Sequence, residues 1–511
     1  MALLRRCQLP DFAVSLLDCG LKRIVARRWR DSSVTGKVQS LALKSGEHLE
    51  SFSKRRGVAC SMRLDLASVF GKNRKRRLPM NTDNLNSVNR RDFLQAGTLA
   101  SVAIAAPSIL HAATIKAGER IKIGLIGCGG RGSGAARNAL AGDAGVVLWA
   151  MADVFPEKIE ASLKNFTAAY SSTPDRINVP KERQFTGLDA YKEMLKSDVD
   201  VVLLAAPPGF RPLHFGAAVE AGKHIFCEKP MGTDVTGALS IMENARKAKQ
   251  KGLAVVAGFC WRYDEARRAM FDRVHQGDIG AVRSLYHTYL TGPVKPMPPL
   301  DSRPTSMNDV EWQLRNWMNF VWLSGDGFLE QACHSVDKMM WAMKDEAPVR
   351  CTAVGGRVNA NPGGNIFDHV HACYEWASGV RGSVVHRQIS GCYSENHDYI
   401  TGEKGIATTK GGVQVTGDKA WKHSGTYPNM YDQEHKELYA SIRDGKLRND
   451  GDWMCQSTLA GLMARAAAYS GGLVTWDDLL KAKESLFPEK LDWNMTLPIA
   501  PMAVPGKTRF A

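Results

Sequence analysis

The sequence predicts an α/β protein with two halves, a doubly wound parallel sheet followed by a second α/β domain whose sheet is mostly antiparallel. A strand, a glycine-rich loop and a helix follow one another in residues 121–141. Strands and helices then alternate as far as Gly258, which is typical of a parallel sheet covered by helices on both faces. After Gly258, strand-like runs follow one another with few helices between them, which indicates antiparallel pairing.

The composition narrows the classes of partner. The chain has 511 residues, enough for two or three domains, and its formal net charge is +15. Residues 1–79 hold 18 Lys and Arg against 6 Asp and Glu, so residues 80–511 carry a net charge of only +3. The sequence therefore predicts no nucleic-acid partner. The 11 cysteines show no CxxC pairs and no metal-type spacing, and we predict no metal site.

Residues 80–113 resemble an export signal. The pair Arg90-Arg91 is similar to the twin-arginine motif of bacterial Tat export, and an apolar stretch follows in residues 96–110. This stretch is shorter than the roughly 20 apolar residues that a membrane-spanning helix needs. We predict recognition by the Tat machinery, cleavage near Ala113, a periplasmic or otherwise exported protein, and no permanent membrane span in the mature form. The alternative is a short buried helix with an accidental Arg-Arg pair.

The segment before this signal is basic, rich in serine and without sustained periodicity. Because export signals stand at N-termini, we interpret residues 1–79 either as a gene-start error, with translation beginning at Met80, or as a disordered extension. The basic run in residues 72–77 could also be read as a nuclear or nucleic-acid patch.

The glycine-rich loop predicts a dinucleotide-binding Rossmann domain in residues 114–258. A strand over residues 121–126 runs into Gly127-Cys128-Gly129-Gly130-Arg131-Gly132, and a helix follows. Gly127 permits the tight turn, Gly129 lets the backbone approach a pyrophosphate, and Gly132 lets the helix pack close to the strand. The start of the helix offers N–H groups and partial positive charge to the phosphates.

Asp153 ends the second predicted strand, 26 residues after Gly127. An acidic residue at this place accepts hydrogen bonds from the adenosine ribose and repels a 2′-phosphate, which favours NAD over NADP. The alternative is a surface aspartate that caps the next helix.

Further predicted strands end at the same edge of the sheet. The apolar run in residues 201–206 indicates a strand that is buried on both faces. It is followed by Pro207 and a helix over residues 212–221, and the next strand leads into Glu228 and Lys229. Ligands of such sheets bind outside the carboxyl ends of the strands. The residues that we assign to the cofactor are Gly127, Cys128, Gly129, Arg131, Gly132, Asp153, Ala206, Pro207, His214, Glu228 and Lys229.

Residues 120–480 resemble the Gfo/Idh/MocA family, which includes glucose–fructose oxidoreductase and inositol dehydrogenase. The resemblance rests on the glycine loop, on Ala205-Ala206-Pro207-Pro208 and, most specifically, on the Ala-Gly-Lys-His…Glu-Lys-Pro stretch of residues 221–230. It implies a Rossmann domain followed by an α/β domain with a large, mostly antiparallel open sheet that often serves oligomerisation. A homodimer or homotetramer is therefore expected.

The second half, residues 259–485, carries a polar segment between its first two predicted strands. If the chain is helical from about residue 328, then Glu330, His334 and Asp337 share one face. Either carboxylate could orient the imidazole, and a histidine titrating near neutrality suits removal of a hydroxyl proton. On spacing alone, a surface histidine paired with acids is the simpler interpretation. The family resemblance implies a catalytic His334, with Asp in place of Glu330.

Lys229 is the second predicted catalytic residue. Most lysines are solvated surface charges, but this one precedes a proline at the carboxyl end of a parallel strand. There its ammonium could stabilise a developing alkoxide, and the resemblance implies the same role. Arg262, Tyr263 and Trp317 are predicted to line the substrate cleft together with Glu330 and Asp337. We interpret residues 421–431 as a loop over the site, and residues 486–511 as a C-terminal tail.

The predicted activity is hydride transfer between NAD and a secondary hydroxyl of a sugar, polyol or glycoside, and export favours a tightly bound NAD. A second hypothesis uses the same oxidation transiently. It eliminates the aglycone of a glycoside and restores the ring, so that the cofactor is recycled and the net reaction is hydrolysis. A third hypothesis is a non-catalytic sugar-binding protein on the same fold.

Overall fold

The computed structural model describes Ile115 and residues 118–359 and 363–510. The predicted extension of residues 1–79 and the predicted export signal of residues 80–113 lie outside the described residues. Among the described helices, none combines the length and the apolar character needed to cross a membrane.

The first half contains, in the described residues, one parallel sheet of six strands and the helices that cover it. The strands are β1 (Ile121–Ile126), β2 (Val146–Asp153), β3 (Gln184–Thr186), β4 (Val201–Leu204), β5 (His224–Cys227) and β6 (Val255–Ala257). The helices are α1 (Gly130–Gly142), α2 (Pro156–Ala169), α3 (Ala190–Leu195), α4 (Arg211–Glu220) and α5 (Val235–Gln250). The strand order is β3-β2-β1-β4-β5-β6, so the order reverses between β1 and β4.

Burial explains why these segments form strands. All four residues of β4 are buried, as the apolar run predicts for a strand covered on both faces. One face packs against apolar side chains of α3, α4 and α5, and the other packs against α1 and α2. The crevice at the switch between β1 and β4 is where sheets of this type bind ligands.

The second half contains a nine-stranded sheet within the part of the chain that the structure describes. Its strands are β7 (Val282–Thr291), β8 (Arg350–Gly356), β9 (His369–Glu375), β10 (Arg381–Gln388), β11 (Asp398–Gly402), β12 (Gly405–Thr408), β13 (Gln414–Gly417), β14 (Trp421–Lys422) and β15 (Val474–Thr475). The order is β14-β13-β12-β11-β7-β10-β9-β8-β15. Pairing is antiparallel except between β7 and β10, which confirms the predicted fold class.

The remaining helices join the two halves. They are α6 (Glu265–His275), α7 (Asp309–Arg315), α8 (Val321–Ser324), α9 (Cys333–Ala342), α10 (Met430–Arg443), α11 (Gly451–Ser470) and α12 (Trp476–Lys481). Apolar residues of α6, α9 and α11 pack on one face of the second sheet. Leu438 and Ile442 of α10 belong instead to the core around α1. α10 therefore packs on the first half, whereas α11 contributes apolar residues to the cores of both halves.

Two local predictions need correction. Residues 328–332 form a π-helical turn, and α9 begins at Cys333 rather than at about residue 328. The predicted loop over residues 421–431 is shorter than expected, because Trp421 and Lys422 pair with β13 and α10 begins at Met430.

Candidate active site

A cavity of about 960 Å³ lies along the carboxyl ends of the first sheet. The loops after β1, β2, β4 and β5 form one side of it, and residues of the second half between positions 289 and 334 form the other. This is the edge at which a doubly wound sheet binds ligands. The predicted site residues that line the cavity are Gly127, Gly129, Arg131, Gly132, Asp153, Ala206, Pro207, His214, Glu228, Lys229, Trp317, Glu330 and His334.

The glycine loop has the shape that a pyrophosphate requires. Gly127 has a φ of +94°, and a Cβ on it would lie 2.6 Å from the backbone nitrogen of Ala206. A Cβ on Gly132 would lie 1.8 Å from the carbonyl oxygen of Gly127, so α1 packs directly against the loop. A Cβ on Gly129 would meet nothing within 4 Å. The loop therefore offers an open backbone cradle at a helix N-terminus, and this cradle fits a dinucleotide.

Asp153 lies at the end of β2 and faces the cavity. Its Oδ2 accepts from the backbone N–H of Cys128 at 2.6 Å, and its Oδ1 accepts from that of Phe155 at 2.9 Å. Burial raises the pKa of Asp153, and the two N–H groups oppose this effect. Cys128 itself does not line the cavity, because its side chain is buried in the core behind the loop. It fixes Asp153 through its backbone.

Lys229 follows β5 and forms a buried ion pair with Glu330. Its Nζ lies 2.9 Å from Oε1 of Glu330 and also donates to the Glu330 carbonyl oxygen, and both side chains are 10% exposed. Burial alone would lower the pKa of Lys229. The negative charge of Glu330 outweighs burial and raises that pKa above its ordinary value. The ion pair thus favours the charged ammonium at the wall of the cavity.

His334 lies one residue into α9 and lines the cavity opposite the first sheet. Its ring lies edge-on to Phe259, with centroids 6.0 Å apart, and parallel to Tyr289 at 6.5 Å. Within the described chain, its Nδ1 is buried without a hydrogen-bond partner. Burial, followed by the positive charge of Lys229, lowers the pKa of His334 well below its ordinary value. The imidazole is therefore neutral and able to accept a proton.

The predicted pairing of His334 with a carboxylate is wrong. In the described residues, Glu330 is bound to Lys229 and Gln331, while Asp337 is bound to Arg262 and Ser457, and neither is hydrogen bonded to the imidazole. The physical reason is that each buried carboxylate has a cation within reach, and a cation compensates its burial better than a neutral imidazole. We predicted that His334 would titrate near neutrality, whereas its pKa is well below that range in the structure.

Three residues predicted to bind substrate lie behind the cavity wall instead. Arg262 forms an ion pair with Asp337 at 2.8 Å and another with Asp345 at 2.5 Å, so its guanidinium links α9 to the chain after it. Tyr263 is buried, and its hydroxyl donates to Asp450 at 2.6 Å. Arg262, Tyr263 and Asp337 do not line the cavity. They hold the wall that carries His334.

The remaining predicted residues lie where the strand ends place them. Nε of Arg131 lies 2.9 Å from Oε1 of Glu228, which ties the glycine loop to the end of β5. His214 packs against Tyr191, with ring centroids 4.4 Å apart, and burial lowers its pKa to about 3. Trp317 lines the cavity from the second half.

The sequence analysis missed several residues that line the cavity, among them Tyr289, Gln331, Arg211 and Tyr431. Tyr289 donates to Gln331 at 2.9 Å, and burial raises the pKa of the Tyr289 phenol to about 12. Arg211 donates to the Ala206 carbonyl at 2.9 Å and also to that of Pro230, which joins the loops after β4 and β5. The fourth residue is Tyr431, whose ring lies 5.0 Å from the Arg131 guanidinium. The sequence offered one signal for Arg211, because this arginine begins a helix shortly after the end of a predicted strand.

Comparison with known proteins supports the Rossmann fold of the first half. The family model "Oxidoreductase family, NAD-binding Rossmann fold" (Gfo/Idh/MocA) matches residues 121–257. Residues 121–257 are thus similar to the Gfo/Idh/MocA oxidoreductase family. The predicted Rossmann fold is thereby confirmed.

Relatives of this family extend the similarity into the second half. The chain is 26% identical over 365 residues to an inositol 2-dehydrogenase of Acidothermus cellulolyticus, covering 68% of this chain and 92% of the relative. It is 26% identical over 224 residues to a glycosyl hydrolase family 109 protein of Shewanella pealeana, covering 39% of this chain and 47% of that protein. The scyllo-inositol dehydrogenase from Lactobacillus casei, solved with NAD(H) and scyllo-inositol, superposes with a TM-score of 0.52 and 20% identity, over 70% of this chain and all of that one.

Proposed function

We propose that the protein is an NAD-dependent oxidoreductase that transfers a hydride between the cofactor and a secondary hydroxyl of a sugar or polyol. The observation that carries this proposal is the meeting of Lys229 and His334 in the cavity that the glycine loop and Asp153 also line. Relatives named inositol 2-dehydrogenase, and a solved neighbour that binds NAD(H) and scyllo-inositol, support this class of substrate.

The protonation states of the two residues suit the oxidation direction. His334 is neutral, so its imidazole can take the hydroxyl proton as the carbon–hydrogen bond breaks. Lys229 is cationic, so its ammonium stabilises negative charge that develops on the substrate oxygen. Bound NAD supplies the acceptor for the hydride. Proton and hydride thus leave the carbinol to separate acceptors, and the ketone remains.

Substitution of the two residues tests the assignment. We expect His334→Ala and Lys229→Met each to lower kcat for polyol oxidation by about 100-fold or more, the usual size of a general acid–base contribution. NAD binding, measured separately by fluorescence titration with NADH, should persist. Lys196→Ala is the matched control, since Lys196 is an exposed residue on the first half. Full activity of either active-site variant would contradict the assignment.

Glycoside hydrolysis with a recycled cofactor is the second candidate function. It is favoured by the similarity to a glycosyl hydrolase family 109 protein. The two activities differ in their products. A glycosidase of this kind releases the aglycone of a chromogenic glycoside with no net NADH, whereas a dehydrogenase forms one NADH for each polyol oxidised. A non-catalytic sugar-binding protein would do neither.

NAD as the preferred cofactor, export through Tat and a homo-oligomeric state belong to the same proposal. Asp153 at the end of β2 supports NAD, and Arg90-Arg91 with its apolar stretch supports export. Comparing Kd for NADH and NADPH tests the first, and N-terminal sequencing of the mature protein tests the second. A mature N-terminus near Ala113 is expected, whereas a peptide from residues 1–79 in the native protein would reject a start at Met80. Sedimentation gives the oligomeric state.

A further inference from the structure

The C-terminal residues 486–499, the strap hereafter, pack behind the wall of the cavity. The strap has no helix or strand, yet along residues 491–499 the odd-numbered side chains are half-buried and the even-numbered ones are exposed. The half-buried side chains pack on an apolar cluster that contains Trp312 and Leu314, both of which line the cavity. The half-buried members of this stretch are Leu491, Trp493, Met495, Leu497 and Ile499.

Hydrogen bonds fix the strap at several points. The backbone N–H of Leu497 donates to Asp309 at 3.0 Å, and its carbonyl accepts from Gln313 at 2.6 Å, so the strap is tied to both ends of α7. The N–H of Leu486 donates to Asp234 at 2.8 Å, at the start of α5. A segment anchored in this way behaves as part of the fold rather than as a loose tail.

The strap also reaches the first half through two aromatic contacts. The rings of Trp493 and Phe155 have centroids 6.0 Å apart, and those of Phe487 and Phe210 are edge-on at 5.1 Å. Phe155 and Phe210 both line the cavity, whereas Trp493 and Phe487 do not. Phe155 stands two residues after Asp153, at the strand end that binds the adenosine ribose in Rossmann domains.

Arg315 completes this bridge from the end of α7. Its guanidinium lies 4.0 Å from the centroid of the Phe155 ring and 2.7 Å from Oε1 of Glu157, in the first turn of α2. Phe155 is therefore held between Arg315 and Trp493. Contacts from the second half thus support the side chain of Phe155 at the wall of the cavity.

We propose that the strap and Arg315 retain the dinucleotide by holding Phe155 over the adenosine end of the cleft. The inference rests on the proposed function, because it requires a dinucleotide in this cavity. A cofactor that leaves past Phe155 must first break the contacts with Trp493 and Arg315. These contacts slow release and leave the reacting end untouched, which makes Trp493 a positioning residue that acts through Phe155.

The rate of cofactor release tests the proposal. The full-length protein is loaded with NADH and mixed with a large excess of NAD, and the loss of bound-NADH fluorescence is followed. We expect release from Trp493→Ala to be about tenfold faster than from wild type, because most changes in affinity at one site appear in the dissociation rate. Trp493→Phe keeps an aromatic ring against Phe155 and should restore slow release. Met502→Ala, at an exposed residue beyond the strap, is the matched control.

Two further measurements separate this proposal from its alternatives. Glu157→Gln removes the ion pair between Arg315 and the first turn of α2, leaves the ion pair with Glu311 in place, and does not alter the apolar cluster. It therefore also tests the wall if Trp493→Ala does not fold, and it should accelerate release less than Trp493→Ala. Wild-type release rates in folded Trp493→Ala or in Glu157→Gln would overturn the proposal. A wild-type protein that binds no NADH would instead reject the proposed function.

Discussion

The pair formed by Lys229 and Glu330 shows how one buried contact sets the charge of the site. A lysine buried without a partner loses its proton readily, yet this one keeps it because a carboxylate lies 2.9 Å away. The same carboxylate is thereby unavailable to His334. One ion pair thus accounts for two properties of the cavity, a stable ammonium and a neutral imidazole that receives no help from an acid.

Substitution of Glu330 should move the alkaline limb of the pH–rate profile. Glu330→Gln removes the charge that raises the pKa of Lys229 and leaves the burial that lowers it. The lysine then deprotonates at a lower pH, and the alkaline fall of kcat/KM moves down with it. We expect about tenfold lower activity on the alkaline side, measured between about pH 6 and about pH 11, which brackets the ordinary His and Lys values.

Glu330→Asp is the control for this prediction, because it keeps the charge on a side chain shorter by one methylene. Its alkaline limb should stay close to that of the wild type even if kcat falls. On the acid side, the lowered pKa of His334 keeps the base neutral down to below about pH 6.5, so the acid limb should lie below that value. An unchanged alkaline limb in Glu330→Gln would show that Lys229 is not the group that titrates.

The sequence predicted the role of a residue where a strand end fixed its position. It did not predict which charged residues would form ion pairs with each other in the fold. Lys229 follows β5 directly, so the sequence sufficed to bring it to the cavity. Arg262 and Asp337 are 75 residues apart in sequence, and their ion pair depends on how α9 meets the turn before α6. Tyr289 reaches the cavity from the end of β7, which has no motif to mark it.

At the scale of elements, two glycines of the glycine loop are needed for different reasons, one for packing and one for cofactor binding. Gly132 is needed by the fold, since a Cβ there would overlap the Gly127 carbonyl oxygen. Gly129 is not needed by the fold, since a Cβ there meets open space in the cavity. The two glycines therefore differ in what their replacement should change.

Alanine substitutions should distinguish the role of Gly132 in the fold from the role of Gly129 in cofactor binding. We expect Gly132→Ala to lower Tm, because overpacking a tight contact typically costs about 1–3 kcal/mol. We expect Gly129→Ala to leave Tm within error and to weaken NADH binding about tenfold, because its methyl group occupies the approach to the pyrophosphate. Thermal unfolding and fluorescence titration measure the two effects. A Gly129→Ala variant with wild-type affinity would place the phosphates elsewhere.

Elements were predictable where the apolar pattern was long or continuous. The runs that became β1, β2 and β5 were predicted nearly to the residue, because buried parallel strands read as uninterrupted apolar segments. The strap shows the opposite case. Its alternating residues 491–499 have the pattern of a half-buried strand, but their backbone joins neither sheet. Apolar and polar residues that alternate with a period of two indicate that one face of the segment is buried. Whether the segment also pairs with a strand depends on a free sheet edge.

At the scale of the whole molecule, the two halves line one cavity, and each half contains buried histidines. Those that are at most 5% exposed include His214, His224, His386 and His435. The ring of His224 accepts a backbone N–H from Ala254 at 2.9 Å, which requires an unprotonated Nδ1. Both ring nitrogens of His386 and of His435 are buried without hydrogen-bond partners among the described residues. Such rings are buried in the neutral form and resist protonation.

These histidines should make the folded protein sensitive to mild acid. Burial lowers the pKa of His224 to about 4 and that of His386 and His435 to about 3, whereas an unfolded chain titrates near about 6.5. Below about pH 6.5 the unfolded chain therefore binds protons that the folded chain does not. Stability falls with decreasing pH, by up to about 1.4 kcal/mol per pH unit for each such histidine.

Thermal unfolding between about pH 7.5 and about pH 4.5 measures this loss, since the interval spans the ordinary histidine value. We expect Tm to fall steadily below about pH 6.5 in the wild type, and His435→Phe and His386→Leu each to make the fall shallower by removing one site of proton uptake from the unfolded chain. His371→Asn, at an exposed histidine of β9, should leave the slope unchanged. A Tm independent of pH over this interval would mean that the buried rings accept protons without unfolding.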